Sequence, residues 1–421
     1  MQGRSTEIAV IGAGPAGAHL ASRLAAEGRD VVLLDPKGAW EKPCGGGVPT
    51  RAIREFAFIL EDSSYPRKLV RRITLISPLD RRVTLELDEP FAVFSREVLN
   101  RLVLDRAINS GADFVREGVI DFSREREDWV LSTSGGKKFR AKFLVGADGA
   151  ASSTRRRLIG IFPKQDLALA FGYNVTVDDL QTADESSRNA ASQREPVADE
   201  VVIRFPREFT GYLWAFPRPG VMNFGVASKL GERTSDELRE LLMEFVRSYY
   251  GGKMPGVERM NFFGAKIPTL DLASWKDLKT TGDGWALIGD AAGFADPITG
   301  EGIYYAFKSA DLLADSMTHP TVNRNGRNDS SAHAGSAEYE RAPASYDAAW
   351  REAFGRDLEH ASFRLPHFYH GQFFGRIFTD AMILLARHHR GVRTILSRAL
   401  VGEQSYVTLK RDLLLRAWRV F

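Results

Sequence analysis

Residues 7–35, EIAVIGAGPAGAHLASRLAAEGRDVVLLD, constrain this chain more than any other stretch. The apolar run Ile8 to Ile11 reads as a buried strand. It turns through Gly12-Ala13-Gly14-Pro15-Ala16-Gly17 into a helix ending near Gly28, and a second apolar run ends on Asp35. Each piece has a task in binding a dinucleotide. Gly12 permits the tight turn. Gly14 has no side chain, so the backbone can approach a pyrophosphate. Gly17 lets the helix lie close on the sheet. The helix that starts at Pro15 and Ala16 offers the free N–H groups of its first turn, the proline excepted, and the positive end of a dipole to phosphates. Asp35 stands where a carboxylate accepts hydrogen bonds from an adenosine ribose. A glycine-rich turn that only packs would not need strand, glycines, helix, strand and acid in this order.

The chain has 421 residues, enough for a large core and two or three lobes. Its formal charge of +3 is too small to argue for a nucleic-acid partner. Cys44 is the single cysteine, so no intramolecular disulfide forms, which fits a reducing, cytoplasmic compartment. No basic-then-apolar leader precedes the first strand, and no apolar run approaches the roughly 20 residues of a membrane helix. Any membrane contact is expected to be peripheral. Residues 409–421 mix Leu413, Leu414, Leu415, Trp418 and Phe421 with Lys410, Arg411, Arg416 and Arg419. They either lie on a membrane surface or dock on the body.

Residues 37–49, KGAWEKPCGGGVP, follow Asp35 directly. Three glycines after a cysteine cannot be helix interior or regular strand; such a loop lets something approach closely. The patches at 73–76 and 83–87 alternate like strands of a second sheet. Ser95 with Val98 and Leu102 marks a capped amphipathic helix running to about Ser110. Arg96 in its first turn either meets an anion or is solvated. A strand pair is expected at 113–122 and 129–134. The strand at 139–145 ends in Gly146-Ala147-Asp148-Gly149, and the arginines at 155–157 read as a solvated helix face. A polar segment at 178–200 reads as an insertion or mobile loop. In the strand 211–217, GYLWAFP, the residues Tyr212, Trp214 and Phe216 share one face, and they either plug a core or line an apolar cavity. Residues 224–228 are its partner, and 234–249 form an amphipathic helix. The strand 285–288 runs into GDAAG, with Asp290 at its end, and a helix from near Gly302 aims N–H groups at a polar ring edge. Residues 318–344 read as loop or disorder, and 345–421 as helical. The histidines at 360, 367, 370, 388 and 389 lack a metal-ligand pattern, so no metal site is expected.

Three separated motifs coincide: GAGPAG with Asp35, GADG at 146–149, and GDAAGFADPITGEGI at 289–303. Together they resemble flavoproteins of the para-hydroxybenzoate hydroxylase fold, in the expected order over most of residues 5–315. The resemblance implies an α/β, two-lobed chain: a Rossmann-type FAD-binding domain, an inserted antiparallel-sheet substrate domain and a C-terminal helical region. The expected division gives 1–75, 95–160 and 280–317 to the FAD-binding domain, and 76–94 with 161–279 to the substrate domain. A polar loop at 318–344 and helices at 345–421 follow. The first motif is implied to hold the ADP half of FAD, Asp148 to lie near the pyrophosphate, and Asp290 to contact the ribityl chain and pyrophosphate. Val119, Gly300, Gly302 and Ile303 complete the expected cofactor set.

KPCGGGVP at 42–49 and GYLWAFPRPGVMNFGVA at 211–227 narrow the resemblance to the geranylgeranyl reductase family. In that family a Cys-Gly-rich loop, here Cys44 with Gly45, Gly46 and Gly47, lies beside the flavin. A Tyr-x-Trp-x-Phe-Pro strand faces the prenyl cavity, which makes Tyr212, Trp214 and Phe216 the substrate-binding residues. Arg96 matches an FAD-contacting arginine. There are two departures: Asp35 replaces the more usual Glu, and Ala227 stands where Gly is frequent. The implied activity is hydrogenation of isolated C=C bonds in a prenyl chain by hydride from reduced FAD. Cys44 is the candidate proton donor or flavin gate, and NADPH or a ferredoxin is the candidate electron donor. One rival is a flavin-dependent monooxygenase or halogenase of the same fold. A halogenase would carry Trp-x-Trp-x-Ile-Pro where this chain has Tyr212 and Phe216. The other rival is a non-catalytic flavin-bound lipid-binding or electron-relay protein.

Overall fold

Two sheets organise the molecule in a computed structural model, which describes residues 3–176, 199–207, 209–252, 261–318, 334–373 and 375–418. In chain order the strands begin with β1 (Arg4–Ile11), β2 (Val31–Leu34), β3 (Gly47–Val48), β4 (Arg67–Ile76), β5 (Arg82–Phe94), β6 (Asp113–Val115), β7 (Val119–Glu125) and β8 (Asp128–Thr133). They continue with β9 (Lys138–Gly146), β10 (Leu167–Thr176), β11 (Glu200–Arg204), β12 (Gly211–Arg218), β13 (Val221–Lys229), β14 (Asn261–Pro268), β15 (Thr281–Gly282) and β16 (Trp285–Leu287).

In the first sheet β16, β9, β1, β2 and β6 lie side by side and parallel. β15 and the β7–β8 hairpin extend it antiparallel. Parallel strands are covered on both faces, so they are apolar throughout; Ile8, Ala9 and Val10 of β1 are wholly buried. The helix Pro15–Ala26 lies between the helices Arg96–Asn109 and Ile303–Thr318. The strand expected at 113–122 is in fact two. Glu117 N donates to Val115 O at 2.8 Å, which turns the chain, so β6 joins β2 while β7 pairs with β8.

The second sheet runs β14-β10-β13-β12-β11-β4-β5-β3, antiparallel except between β11 and β4. One face packs Leu213, Phe224 and Val226 on Leu238, Leu242 and Phe245 of the helix Ser235–Tyr249. A Thr234/Glu237 capping box starts that helix. The other face turns towards the first sheet and the C-terminal helices. The boundary expected at residue 75 moves back, because β4 already pairs with β5 from Arg67. Arg67, Lys68, Arg71 and Arg72 hide the strand pattern of that half of β4. Gly47–Val48 also joins this sheet.

The polar loop expected at 318–344 is corrected in its second part: residues 334–344 open the helix Ala334–Trp350. Composition suggested a loop, yet Tyr339, Ala342, Tyr346 and Trp350 form a buried stripe at helical spacing. Tyr346 donates its hydroxyl to Leu287 O at 3.1 Å, and Trp350 Nε1 donates to Thr280 Oγ1 at 2.9 Å, so this helix is tied to the first sheet. Residues 319–333, most of the segment expected as an insertion at 178–200, and 419–421 lie outside the described residues. The remaining C-terminal helices are Arg356–His370, Phe378–His388, Arg390–Leu400 and Leu409–Trp418, with a short hairpin of Gln372–Phe373 and Arg376–Ile377. Among the described residues no helix is long and apolar enough to cross a membrane.

Among the described residues Trp350 is the largest of the fully buried side chains. Replacing Trp350 by Ala is expected to cost about 3–5 kcal/mol of folding free energy in chemical denaturation, because a large cavity opens beside the first sheet.

Candidate functional site

The strand ends that carry the three motifs meet at one edge of the first sheet and face β12. Between them lies a cavity of about 550 Å³. Gly12, Gly14, Pro15, Ala16, Asp35, Gly45, Gly46, Gly47, Arg96, Val119, Asp148, Asp290, Gly300, Gly302 and Ile303 all line it, as do Cys44, Tyr212, Trp214 and Phe216. Gly17 is not among the lining residues. A Cβ there would sit 1.9 Å from Gly12 O, so its glycine serves helix–sheet contact.

One end of the cavity is suited to an anion. Gly12 has a φ of +104°, and a Cβ on it would come within 2.4 Å of Ala147 O; only glycine lets the first turn touch the GADG loop. Gly14 faces open space and leaves the N-terminus of the helix Pro15–Ala26 without a side-chain cap. Its N–H groups and dipole therefore point at the cavity. Arg96 is 5% exposed, and its Nε has no hydrogen-bond partner. A buried guanidinium with a free donor beside a cavity calls for an anionic ligand. Asp35 and Asp148 mostly fasten backbone. Asp35 accepts from Ala13 N at 3.0 Å, Lys37 N at 2.7 Å and Gly38 N at 2.8 Å. Asp148 accepts from Ser153 N at 2.8 Å and Thr154 N at 3.0 Å, holding the short helix Ser153–Leu158 against the first turn. The solvated face expected for 155–157 is corrected at Arg155, whose guanidinium lies 3.7 Å over the Phe162 ring. Burial lowers its pKa to about 10. Lys42 and Asp290 bridge the middle of the site at 2.8 Å.

Against β12 lies the Cys44 loop. A Cβ on Gly45 would be 2.9 Å from Phe216 Cδ2, and one on Gly47 would be 2.5 Å from Phe91 Cζ. The glycines are there so that backbone can rest on aromatic rings. Cys44 Sγ accepts the Gly46 N–H at 3.3 Å. Arg218, at the end of β12, straps the loop: it donates to Cys44 O, to Gly45 O at 3.3 Å and to Glu41 Oε1 at 2.8 Å. Glu41 also receives Ser95 Oγ at 2.7 Å, Arg96 N at 3.2 Å and Glu97 N at 3.0 Å. Burial pushes its carboxyl up, but Arg218 and these donors outweigh that and hold it below the usual range. Trp214 Nε1 donates to Asn223 Oδ1 at 2.8 Å, which fixes the central ring of the ridge.

The third wall is the loop 296–302, held by tyrosines from three elements. Tyr212 donates its hydroxyl to Thr299 O; Tyr369 donates to Ile298 O at 2.8 Å, and Tyr406 to Asp296 Oδ2 at 2.8 Å. Burial raises the Tyr212 phenol and the Asp296 carboxyl above their ordinary values. Glu301 lines the cavity with its Oε1 on Tyr304 N at 2.8 Å. The N–H expected to reach a ring edge at this helix start is thus partly taken by Glu301. Glu41, Lys42, Arg218, Asp296, Glu301, Tyr369 and Tyr406 were not singled out from sequence. Arg218 carried a signal, since a charged residue follows the aromatic strand directly. Tyr369 and Tyr406 carried none, because their partners lie 71 and 110 residues away.

A family profile described as an FAD binding domain matches residues 5–342. The chain belongs to this FAD-binding family. The orphaned Arg96 and the open helix N-terminus fit the pyrophosphate of such a cofactor. A relative named geranylgeranyl diphosphate reductase, from Rhodobacter capsulatus, is 29% identical over 320 residues, 73% of each chain. Digeranylgeranylglycerophospholipid reductase of Methanosarcina acetivorans is 26% identical over 366 residues, 84% of this chain and 82% of that one. Among solved structures, a geranylgeranyl bacteriochlorophyll reductase-like protein from Thermoplasma acidophilum superposes with a TM-score of 0.70 at 21% identity, over 93% of this chain and 98% of that one. The flavin-dependent brominase Bmp2 superposes with 0.69 at 14%, over 99% and 100%. At these identities the two structures share the fold.

Hydrogen bonds to a charged group contribute about 1.5–3 kcal/mol each, so Arg218→Met is expected to loosen the Cys44 loop strongly. Because Cys44 is the single cysteine, thiol labelling reads that loop alone. Its labelling rate in Arg218→Met is expected to rise about tenfold or more over the parent protein, one decade per about 1.4 kcal/mol of strap lost.

Proposed function

We propose that this chain is an FAD-dependent reductase hydrogenating isolated C=C bonds of a geranylgeranyl-type prenyl chain. The observation that carries the reading is the direct seat of the Cys44 loop on the Tyr212–Trp214–Phe216 ridge, at the wall of the FAD-site cavity. Beyond the ridge the cavity is lined by Ile73, Val201, Ile203, Phe205, Phe368 and Leu400, which suits a hydrocarbon tail. The names of the curated relatives support the same substrate class.

In this reading Gly12 to Ala16, Asp35 and Arg96 hold the ADP half of FAD. Lys42 and Asp290 lie along its middle, and Gly300, Gly302 and Ile303 at its far end. Reduced FAD, when bound, supplies the hydride. The chain's residues do the rest. The helix N-terminus and Arg96 balance phosphate charge. The ridge and the apolar wall hold the alkene and exclude water. An unactivated alkene accepts hydride poorly, so protonation leads or accompanies transfer, and the aromatic faces stabilise the positive charge that develops. Cys44 stands at the flavin side as proton donor or gate. A single Rossmann fingerprint serves FAD, so NADPH or a ferredoxin would dock as electron donor without a dinucleotide fold of its own. Peripheral membrane contact would use the exposed Leu414 and Leu415.

Protein reduced with dithionite under argon and incubated with a panel of prenyl lipids is expected to yield products carrying two extra hydrogens per double bond, read by mass spectrometry. Product that forms only with oxygen present, carrying oxygen or halogen, would favour a monooxygenase or halogenase. Cys44→Ser and Cys44→Ala are expected to retain FAD and lose about ten- to a hundredfold in turnover. Full turnover in both would remove Cys44 from the mechanism.

A further inference from the structure

Glu301 is an acid that the mechanism so far leaves idle. It lines the cavity, and among the described residues the direct hydrogen bonds of its carboxyl hold the start of the helix Ile303–Thr318. Among the described residues no lysine, arginine or histidine forms an ion pair with it. The groups around it explain its state. Asp296, in the same loop, is buried and adds negative charge. From the helix Thr50–Glu55, Arg51 acts in the opposite sense, but its guanidinium is spent over the Tyr304 ring at 4.0 Å and on Gly402 O at 3.4 Å. Lys42 is committed to Asp290 at 2.8 Å. From β12, the Tyr212 hydroxyl is committed to Thr299 O, with Cys44 beyond it. Burial foremost, then Asp296, pushes the Glu301 carboxyl up to about 7, against the N–H donors of Tyr304 and Ile303 and the charge of Arg51. Glu301 is among the residues that line the cavity and is half-buried there, so its carboxyl is poorly solvated.

We propose that Glu301 is the general acid of the prenyl reduction, giving its carboxyl proton to the alkene carbon that does not receive the hydride. This rests on the reductase reading. The Glu301 O–H bond breaks and leaves its electron pair on the carboxylate. The π pair of the alkene forms the new C–H bond, and the hydride of the reduced cofactor completes the neighbouring carbon. The alkene gains two electrons and two hydrogens, the cofactor is oxidised by two electrons, and Glu301 recovers a proton from water entering the cavity. An acid works best when its pKa lies near the working pH. The Tyr212 phenol is a weaker acid than usual and its proton is already donated, so it does not compete. Cys44 is left with the gating role.

The sign of the pH dependence follows from the acid form being the active one. Turnover is full below about 7 and falls as pH rises through that value. The test uses the FAD-loaded protein and a prenyl lipid that the parent protein reduces. Glu301→Gln is expected to keep FAD content and KM, lose about a hundredfold in kcat at about pH 6, and lose the fall above neutrality. Glu301→Asp should restore part of the rate together with the pH limb. Infrared titration gives a readout independent of turnover: a carboxylic-acid band disappearing with a midpoint near 7 in the parent protein and missing in Glu301→Gln. A Glu301→Gln variant with parental kcat and pH limb, or a band that titrates in the ordinary carboxylate range, overturns the proposal. A parent protein that reduces no prenyl lipid defeats the reductase reading and the acid with it. An active parent with an unaffected Glu301→Gln variant defeats the acid alone.

Discussion

The pair of buried Arg218 and half-buried Glu41 is the joint on which the site depends. Arg218 keeps only 3% of its side chain exposed, and an ion taken that far from water costs several kcal/mol unless its donors are met. They are met by the Cys44 and Gly45 carbonyls and by Glu41. Glu41 in turn collects the N-terminal N–H groups of the helix Arg96–Asn109. One guanidinium therefore fixes three things together: the end of β12, the cysteine loop, and the helix that aims Arg96 into the cavity. Removing Glu41 would leave the Arg218 charge without its carboxylate in a low-dielectric site. That cost makes the joint stiff, and the aromatic ridge is registered to the cofactor end through it.

Around this joint the cavity changes character along its length. At one end backbone N–H groups, Arg96 and glycines make a place for phosphate. At the other, β12 and the C-terminal helices present rings and aliphatic chains. A long molecule with an anionic half fits the first end, and a hydrocarbon fits the second. The junction is where Cys44, Tyr212 and the loop 296–302 converge. The brominase Bmp2 shares the fold at a TM-score of 0.69, so the backbone framework alone does not select the chemistry. What this junction presents is glycines so bare that backbone rests on Phe216 and Phe91, and the carboxyls of Asp296 and Glu301, which form no ion pair among the described residues.

The parts legible in the sequence are those whose chemistry is local. The first turn needs glycine at fixed spacing, and strands that end in an acid beside glycine recur at Asp148 and Asp290; these were readable because each motif is contiguous. The Tyr212–Phe216 face was readable from strand alternation, although core plug and cavity wall look alike until the opposite wall is seen. What escaped was non-local. Tyr339, Ala342, Tyr346 and Trp350 carry a helical stripe, but a polar composition concealed it. The break at Glu117 depends on a single tight turn inside a strand-like run. Tyr369 and Tyr406 matter through hydrogen bonds to residues far up the chain, and no local pattern announces such partners.

Those distant tyrosines give the C-terminal region a task that its sequence does not advertise. The loop 296–302 is made mostly of small and polar residues and has one buried apolar anchor, Ile298, so the rest of its position must be imposed. Three hydroxyls from β12, the helix Arg356–His370 and the segment at Tyr406 impose it, each reaching a backbone carbonyl or the Asp296 carboxylate. The last of these contacts helps to bury Asp296, whose charge bears on Glu301. Holding the loop and raising its carboxyls are therefore one physical act. A loop freed from these hydroxyls would admit water, and its acids would return towards ordinary ionised carboxylates. The C-terminal region thus bears on the protonation of a wall it meets through Tyr369 and Tyr406, which couples the least recognisable part of the sequence to the most recognisable.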